Sequence, residues 1–211
     1  MPVSYIYKKM IRNKIKNLTD KVTLKVFTSL NNPQESEYMM NILDIYKKES
    51  NGMLKIEEYK LESNSELAIK YNIQRVPAIL LMNNQAIEAI RYLAVPMSAE
   101  IQPFVQALMI ITGAPNYYAF TIKQNLDKMK SLKIEVLITD SCAYCPTILS
   151  ICSQFALASE GKIKTIIIDI MAHPDIGEKY NVSTVPYLII NEEKKLNGII
   201  TAEALLKELL N

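Results

Sequence analysis

The segment Lys70-Tyr71-Asn72-Ile73-Gln74-Arg75-Val76-Pro77 recurs 109 residues later as Lys179-Tyr180-Asn181-Val182-Ser183-Thr184-Val185-Pro186, with five of the eight positions identical. In a chain of 211 residues this self-match divides the sequence into two units of about 100 residues, a common domain size. Element order repeats around the match. Apolar periodicity in the first half predicts a helix over 2–18, a strand over 22–28, a helix over 34–49 and a strand over 53–60. A short helix over 65–71, a strand after Pro77, a strand over 86–91 and a helix over 98–112 follow. The second half predicts the same series: helix 118–131, strand 133–139, helix 142–159, strand 163–169, short helix 173–180, strands 187–190 and 195–199, and helix 202–210. Thr201 is the expected N-cap of the last helix. Turn residues at 112–116 (TGAPN) set the boundary, giving units 1–113 and 114–211. The alternation of strands and helices places both in the α/β class.

Composition narrows the function by exclusion. A net charge of +2 gives no reason to expect nucleic acid. No stretch approaches the ~18 uninterrupted apolar residues of a membrane span, and charges break every run long enough for a signal peptide. Lys8, Lys9, Arg12, Lys14 and Lys16 alternate with Ile6, Met10, Ile11, Ile15 and Leu18, which describes an amphipathic helix with a solvated basic face. Five glycines occur without a G-x-G-x-x-G, so no dinucleotide fingerprint and no bound cofactor are expected. Three cysteines cannot make a framework of paired bridges. One close pair plus a single thiol suits a reducing compartment, the cytoplasm.

That pair is Cys142-Ala143-Tyr144-Cys145, followed by Pro146. It lies between an apolar strand and a helix, where C-x-x-C reads as a redox pair. Two intervening residues are expected to bring both sulfurs onto the first helical turn. Unpaired N–H groups and the helix dipole there favour a thiolate, the form that attacks a disulfide. Cys142, nearer the helix start and the more exposed, is the expected nucleophile, with a pKa below the free value of ~8.5. Cys145 is the expected resolving thiol. Pro146 fits a first helical turn, which needs no N–H at that position. Cys152, seven residues on, is expected as a buried free thiol, and His173, the sole histidine, as a surface residue. Cys142, Cys145, Cys152 and His173 together match no common zinc spacing, so no metal is expected.

Val185-Pro186 is expected to contain a cis bond, accessible at ~0.5–1 kcal/mol for X–Pro. This would lay the Val185 backbone beside the Cys142 sulfur, where an extended substrate can pair with it as an added strand. Tyr144 would shape the substrate contact.

Cys142-Ala143-Tyr144-Cys145-Pro146 with Thr184-Val185-Pro186, and Val76-Pro77 with Ile90-Arg91-Tyr92-Leu93-Ala94-Val95-Pro96, resemble the thioredoxin superfamily. The tandem arrangement is similar to the glutaredoxin-like protein disulfide oxidoreductases. The resemblance implies two tandem thioredoxin-like folds, each a central mixed β-sheet flanked by helices. It also implies thiol–disulfide exchange with protein disulfides through a mixed-disulfide intermediate. A buried acid beneath the pair would relay the Cys145 proton, and Glu135, on the strand leading to the motif, is the candidate; its burial would raise its pKa. The family pattern has a C-x-x-C in both units, and the first unit here has none. Aligning Val26-Phe27-Thr28 with Leu137-Ile138-Thr139 puts Asn31 and Gln34 at the vacated positions. A silent first site beside a live second one is also similar to the N-terminal domain of the alkyl hydroperoxide reductase flavoprotein subunit. That likeness implies a relay from a thioredoxin-reductase-like flavoenzyme to a peroxiredoxin. The alternative from another class is a redox-sensing or peptide-binding module without turnover.

Overall fold

The computed structural model describes residues 4–211; the start of the helix expected over 2–18 lies outside the described residues. The first half comprises α1 (Tyr5–Ile15), β1 (Val22–Thr28), α2 (Pro33–Glu49), β2 (Leu54–Lys60), α3 (Ser65–Lys70), β3 (Ala78–Met82), β4 (Glu88–Leu93) and α4 (Ile101–Ile111). The second comprises α5 (Ala119–Asn125), β5 (Leu132–Ile138), α6 (Cys145–Ala158), β6 (Ile163–Asp169), α7 (Pro174–Lys179), β7 (Tyr187–Ile190), β8 (Lys194–Asn197) and α8 (Ala202–Leu210). A 3₁₀ turn at Ser98–Glu100 leads into α4. As expected, Thr201 caps α8 by accepting from the Ala204 amide at 3.2 Å.

All eight strands join one mixed sheet in the order β2-β1-β3-β4-β6-β5-β7-β8. Each half contributes the same four-strand pattern: a parallel pair (β1 with β2, β5 with β6), then antiparallel steps to its last two strands. The halves meet where β4 runs parallel to β6, with Ile90 opposite Thr165 and Tyr92 opposite Ile167. Strand alternation then sorts side chains onto two faces. Val26, Ile79, Ile90, Ile134, Val136 and Ile167 face a core shared with the long helices, including Met39, Phe104 and Phe155. Phe27, Leu80, Leu137, Ile168 and Ile189 face a smaller core covered by the α3 and α7 segments.

The repeated Lys-Tyr-Asn has a physical cause. Asn72 and Asn181 adopt left-handed backbone (φ 48° and 52°) and end α3 and α7, a conformation asparagine tolerates better than most residues. In each case the next amide reaches back across the turn, Ile73 to Ala68 O at 2.8 Å and Val182 to Gly177 O at 2.9 Å. Tyr71 and Tyr180 pack into the smaller core, and Lys70 and Lys179 lie over those rings at 5.5 and 4.7 Å. No helix among the described residues is long and apolar enough to cross a membrane.

Candidate active site

Cys142 and Cys145 form a disulfide with a Cα–Cα distance of 5.5 Å. The two sulfurs do not share a helical turn as expected. Cys142 lies in the turn after β5, its amide donating to Thr139 O at 3.1 Å, and α6 begins only at Cys145. The reason is local: Pro146 occupies the first turn, and Tyr144 supplies the N-cap position. Cys142 is partly exposed, whereas Cys145 is fully buried against the larger core. The Cys145 amide donates to the Cys142 sulfur at 3.1 Å, so an orphan N–H of the helix start points at the atom that carries charge when the bond opens.

The Val185–Pro186 bond is cis, as is Val76–Pro77. The Val185 carbonyl lies 3.6 Å from the Cys142 sulfur. Gly198, just after β8, donates its amide to Pro186 O at 2.9 Å, which ties the segment leading to the exposed Ile199 to the cis-proline. Tyr144, between the two cysteines, is 60% exposed. Nothing in the sequence around Ile199 marked it, because its place depends on the β8 register.

Glu135 departs from the expected placement beneath the pair. It stands opposite Ile166 and Ile189 and therefore on the sheet face away from α6, where Lys133 pairs with it at 3.3 Å. Strand periodicity of two decides this: Val136, one residue on, faces Cys145's side. The buried acid on that side is Glu100, from the 3₁₀ turn before α4, 2% exposed with Oε1 lacking a partner among the described residues. Burial, with the nearby Asp140 and Asp169 adding to it, pushes its carboxyl from 4.5 up to about 7. Burial also raises Tyr92 and Asp169. Glu100 sits in the other half of the chain, 42 residues before Cys142, and no local spacing links it to the motif.

Cys152 is fully buried, and that burial pushes its thiol up to about 12. His173 is half-buried at the start of α7, its pKa lowered by burial and by Arg75. Among the described residues no group of three or more His, Cys, Asp or Glu gathers as for a metal ion.

The sheet register also revises the vacated first site. Phe27 pairs with Ala78 and Leu137 with Tyr187, each the residue after its proline, so Phe27 and Leu137 are equivalent. Counting forward, Asn32 and Glu35 stand where the cysteines do, rather than Asn31 and Gln34. Asn32 Nδ2 donates to the Val76 carbonyl at 3.2 Å, the counterpart of the Cys142 sulfur beside Val185 O.

Residues 132–211 match the thioredoxin domain family. Over 79 residues the chain is 27% identical to a thioredoxin of Methanocaldococcus jannaschii, a match covering 37% of this chain and 93% of that protein. The fold is similar to that of a protein disulfide oxidoreductase from Aeropyrum pernix, with a TM-score of 0.88, 24% identity, and coverage of 100% of this chain and 93% of the other. It is similar as well to the NTD_N/C domain of alkylhydroperoxide reductase AhpF from Enterococcus faecalis, with a TM-score of 0.84, 20% identity, and 96% and 97% coverage. The whole chain therefore has the tandem thioredoxin-like fold that the resemblance implied.

Proposed function

We propose that this protein is a thiol–disulfide oxidoreductase acting on protein disulfides, a reading supported by the match of residues 132–211 to the thioredoxin domain family and by the tandem fold of the whole chain. The observation that carries this is the Cys142–Cys145 disulfide at the start of α6, its outer sulfur exposed beside the Val185 carbonyl. The units are 1–113, which holds no cysteine, and 114–211, which does the chemistry.

In the reduced protein the Cys142 thiolate attacks one sulfur of a substrate disulfide. A Cys142–substrate disulfide forms as the substrate S–S bond breaks, and the second substrate sulfur leaves as a thiolate. Cys145 then loses its proton and attacks the Cys142 sulfur, closing the Cys142–Cys145 bond and releasing the other substrate thiolate. Two electrons pass to the substrate. The Cys145 amide stabilises charge on the outer sulfur, and Val185 with Pro186, Tyr144 and Ile199 hold the substrate strand. We assign the proton-accepting role to Glu100 in place of Glu135, because its 3₁₀ turn packs against α6 and a buried carboxyl raised to about 7 is matched to proton transfer at neutral pH. The setting is a reducing compartment, the cytoplasm.

Dithiothreitol-driven reduction of insulin tests this. Wild type should accelerate turbidity onset, and Cys142→Ser should match the uncatalysed control. Equal rates for both would remove general disulfide exchange and leave either a dedicated electron relay or a redox-sensing or peptide-binding module. A second role is supported by the similarity to the AhpF domain: a relay carrying electrons from a thioredoxin-reductase-like flavoenzyme to a peroxiredoxin. In that case insulin is a poor substrate, and turnover requires both partner proteins.

A further inference from the structure

The first unit keeps the shape of an exchange site without its thiols. A groove of about 590 Å³ opens along Val76 and Pro77, is walled by Tyr38 and Met97, and runs on to Asp140 and Asp169 of the second unit. Asp140 lies two residues before Cys142, in the turn closed by the Cys142 amide on Thr139 O, so the far end of the groove reaches the turn that carries the exchange site. Among the described residues the Val76 amide donates no hydrogen bond, while its carbonyl is held by Asn32. A free backbone donor beside apolar walls is the geometry that accepts an added strand. The charges on the groove are mostly one sign. Glu35, Asp140 and Asp169 line it, the guanidinium of Arg75 is engaged by Asp175, and His173 is held towards its neutral form.

We propose that this groove docks the polypeptide arm of the same substrate whose disulfide reacts at Cys142, an extended segment carrying basic side chains. The proposal rests on exchange chemistry at Cys142. No bond is made or broken in the groove. Its contribution is a second anchor: main-chain pairing at Val76, apolar contact with Tyr38 and Met97, and attraction of cationic side chains to the acidic lining. A tethered second contact raises the effective concentration of the disulfide at Cys142. Loss of the first pair of cysteines then leaves a docking site that cannot divert the substrate into a competing disulfide.

The test uses three synthetic peptides, each closed by one disulfide. One has no arm, one a lysine-bearing arm and one a glutamate-bearing arm; each arm has about ten residues, or ~33 Å when extended. In wild type the lysine arm should raise kcat/KM for disulfide reduction about tenfold over the armless peptide, and the glutamate arm should give no gain. The gain should vanish in both Tyr38→Ala and Glu35→Lys. Both positions are exposed on α2, so each variant is expected to fold, and circular dichroism checks this. Equal rates for armed and armless peptides, or a gain surviving both substitutions, would overturn the docking proposal alone. Armless-peptide turnover no faster than that of Cys142→Ser would instead overturn the exchange chemistry on which it rests.

Discussion

Cys142 and Cys145 sit three residues apart yet meet opposite surroundings, one partly open to solvent and one fully buried. The proposed order of reaction rests on that difference, and so does the proposal of a buried base. Glu100 was illegible in the sequence because only the fold brings its turn against α6. Its titration has a consequence for stability. The folded carboxyl sits at about 7 against 4.5 when unperturbed, so below pH 4.5 both states are protonated and nothing is lost. Between 4.5 and 7 the unfolded chain ionises while the folded one stays neutral, and stability falls. At ~1.4 kcal/mol per pH unit, the loss approaches about 3 kcal/mol above pH 7. Glu100→Gln should therefore flatten the urea-measured stability profile of the oxidised protein across this window and leave the variant more stable than wild type at pH 8. The same substitution should remove an inflection near pH 7 from the turnover profile. A merely structural Glu100 would change stability without changing that inflection.

At the scale of elements, the repeated segment was readable because each identical residue does one local job. Asparagine ends the short helix in left-handed backbone, tyrosine fills the smaller core, and Val-Pro delivers the chain to the next strand. Asn181→Val should cost about 1–2 kcal/mol, since a β-branched residue is strained at that φ, and should lower the melting temperature by roughly 2–8 °C. Asn181→Gly should be close to neutral, which separates backbone strain from loss of a side-chain contact. Strand positions within the motif region were harder to read. The run Leu24 to Ser29 resembles Ile134 to Thr139 at more than one offset, and only the cross-strand partners of Phe27 and Leu137 select Asn32 as the counterpart of Cys142. The start of α6 was likewise misread, because C-x-x-C spacing does not reveal that helix geometry begins at the second cysteine.

Across the whole molecule, the repeat announced two units but not their fusion into one sheet. The parallel joint between β4 and β6 is reinforced by a nearly buried charge cluster. Glu88 accepts from Arg91 at 2.6 and 2.9 Å and from Lys164 of the other half at 2.6 Å, while Arg91 also donates to Asn72 O at 2.9 Å. Such a cluster, having excluded water, holds its partners in register more than it adds net stability. The joint places Glu100, contributed by the first half, on the α6 side of the shared sheet, and it sets the Val76 groove alongside Asp140. One unit thus carries the thiols, while the other is proposed to supply their base and a surface for the substrate. The central claim is that Cys142 alone makes the covalent intermediate. Incubating reduced Cys145→Ser with insulin and locating the adduct by peptide mass spectrometry tests it directly. A stable mixed disulfide at Cys142, with Cys152 unmodified, is the predicted result; an adduct at Cys152, or none, would contradict the account.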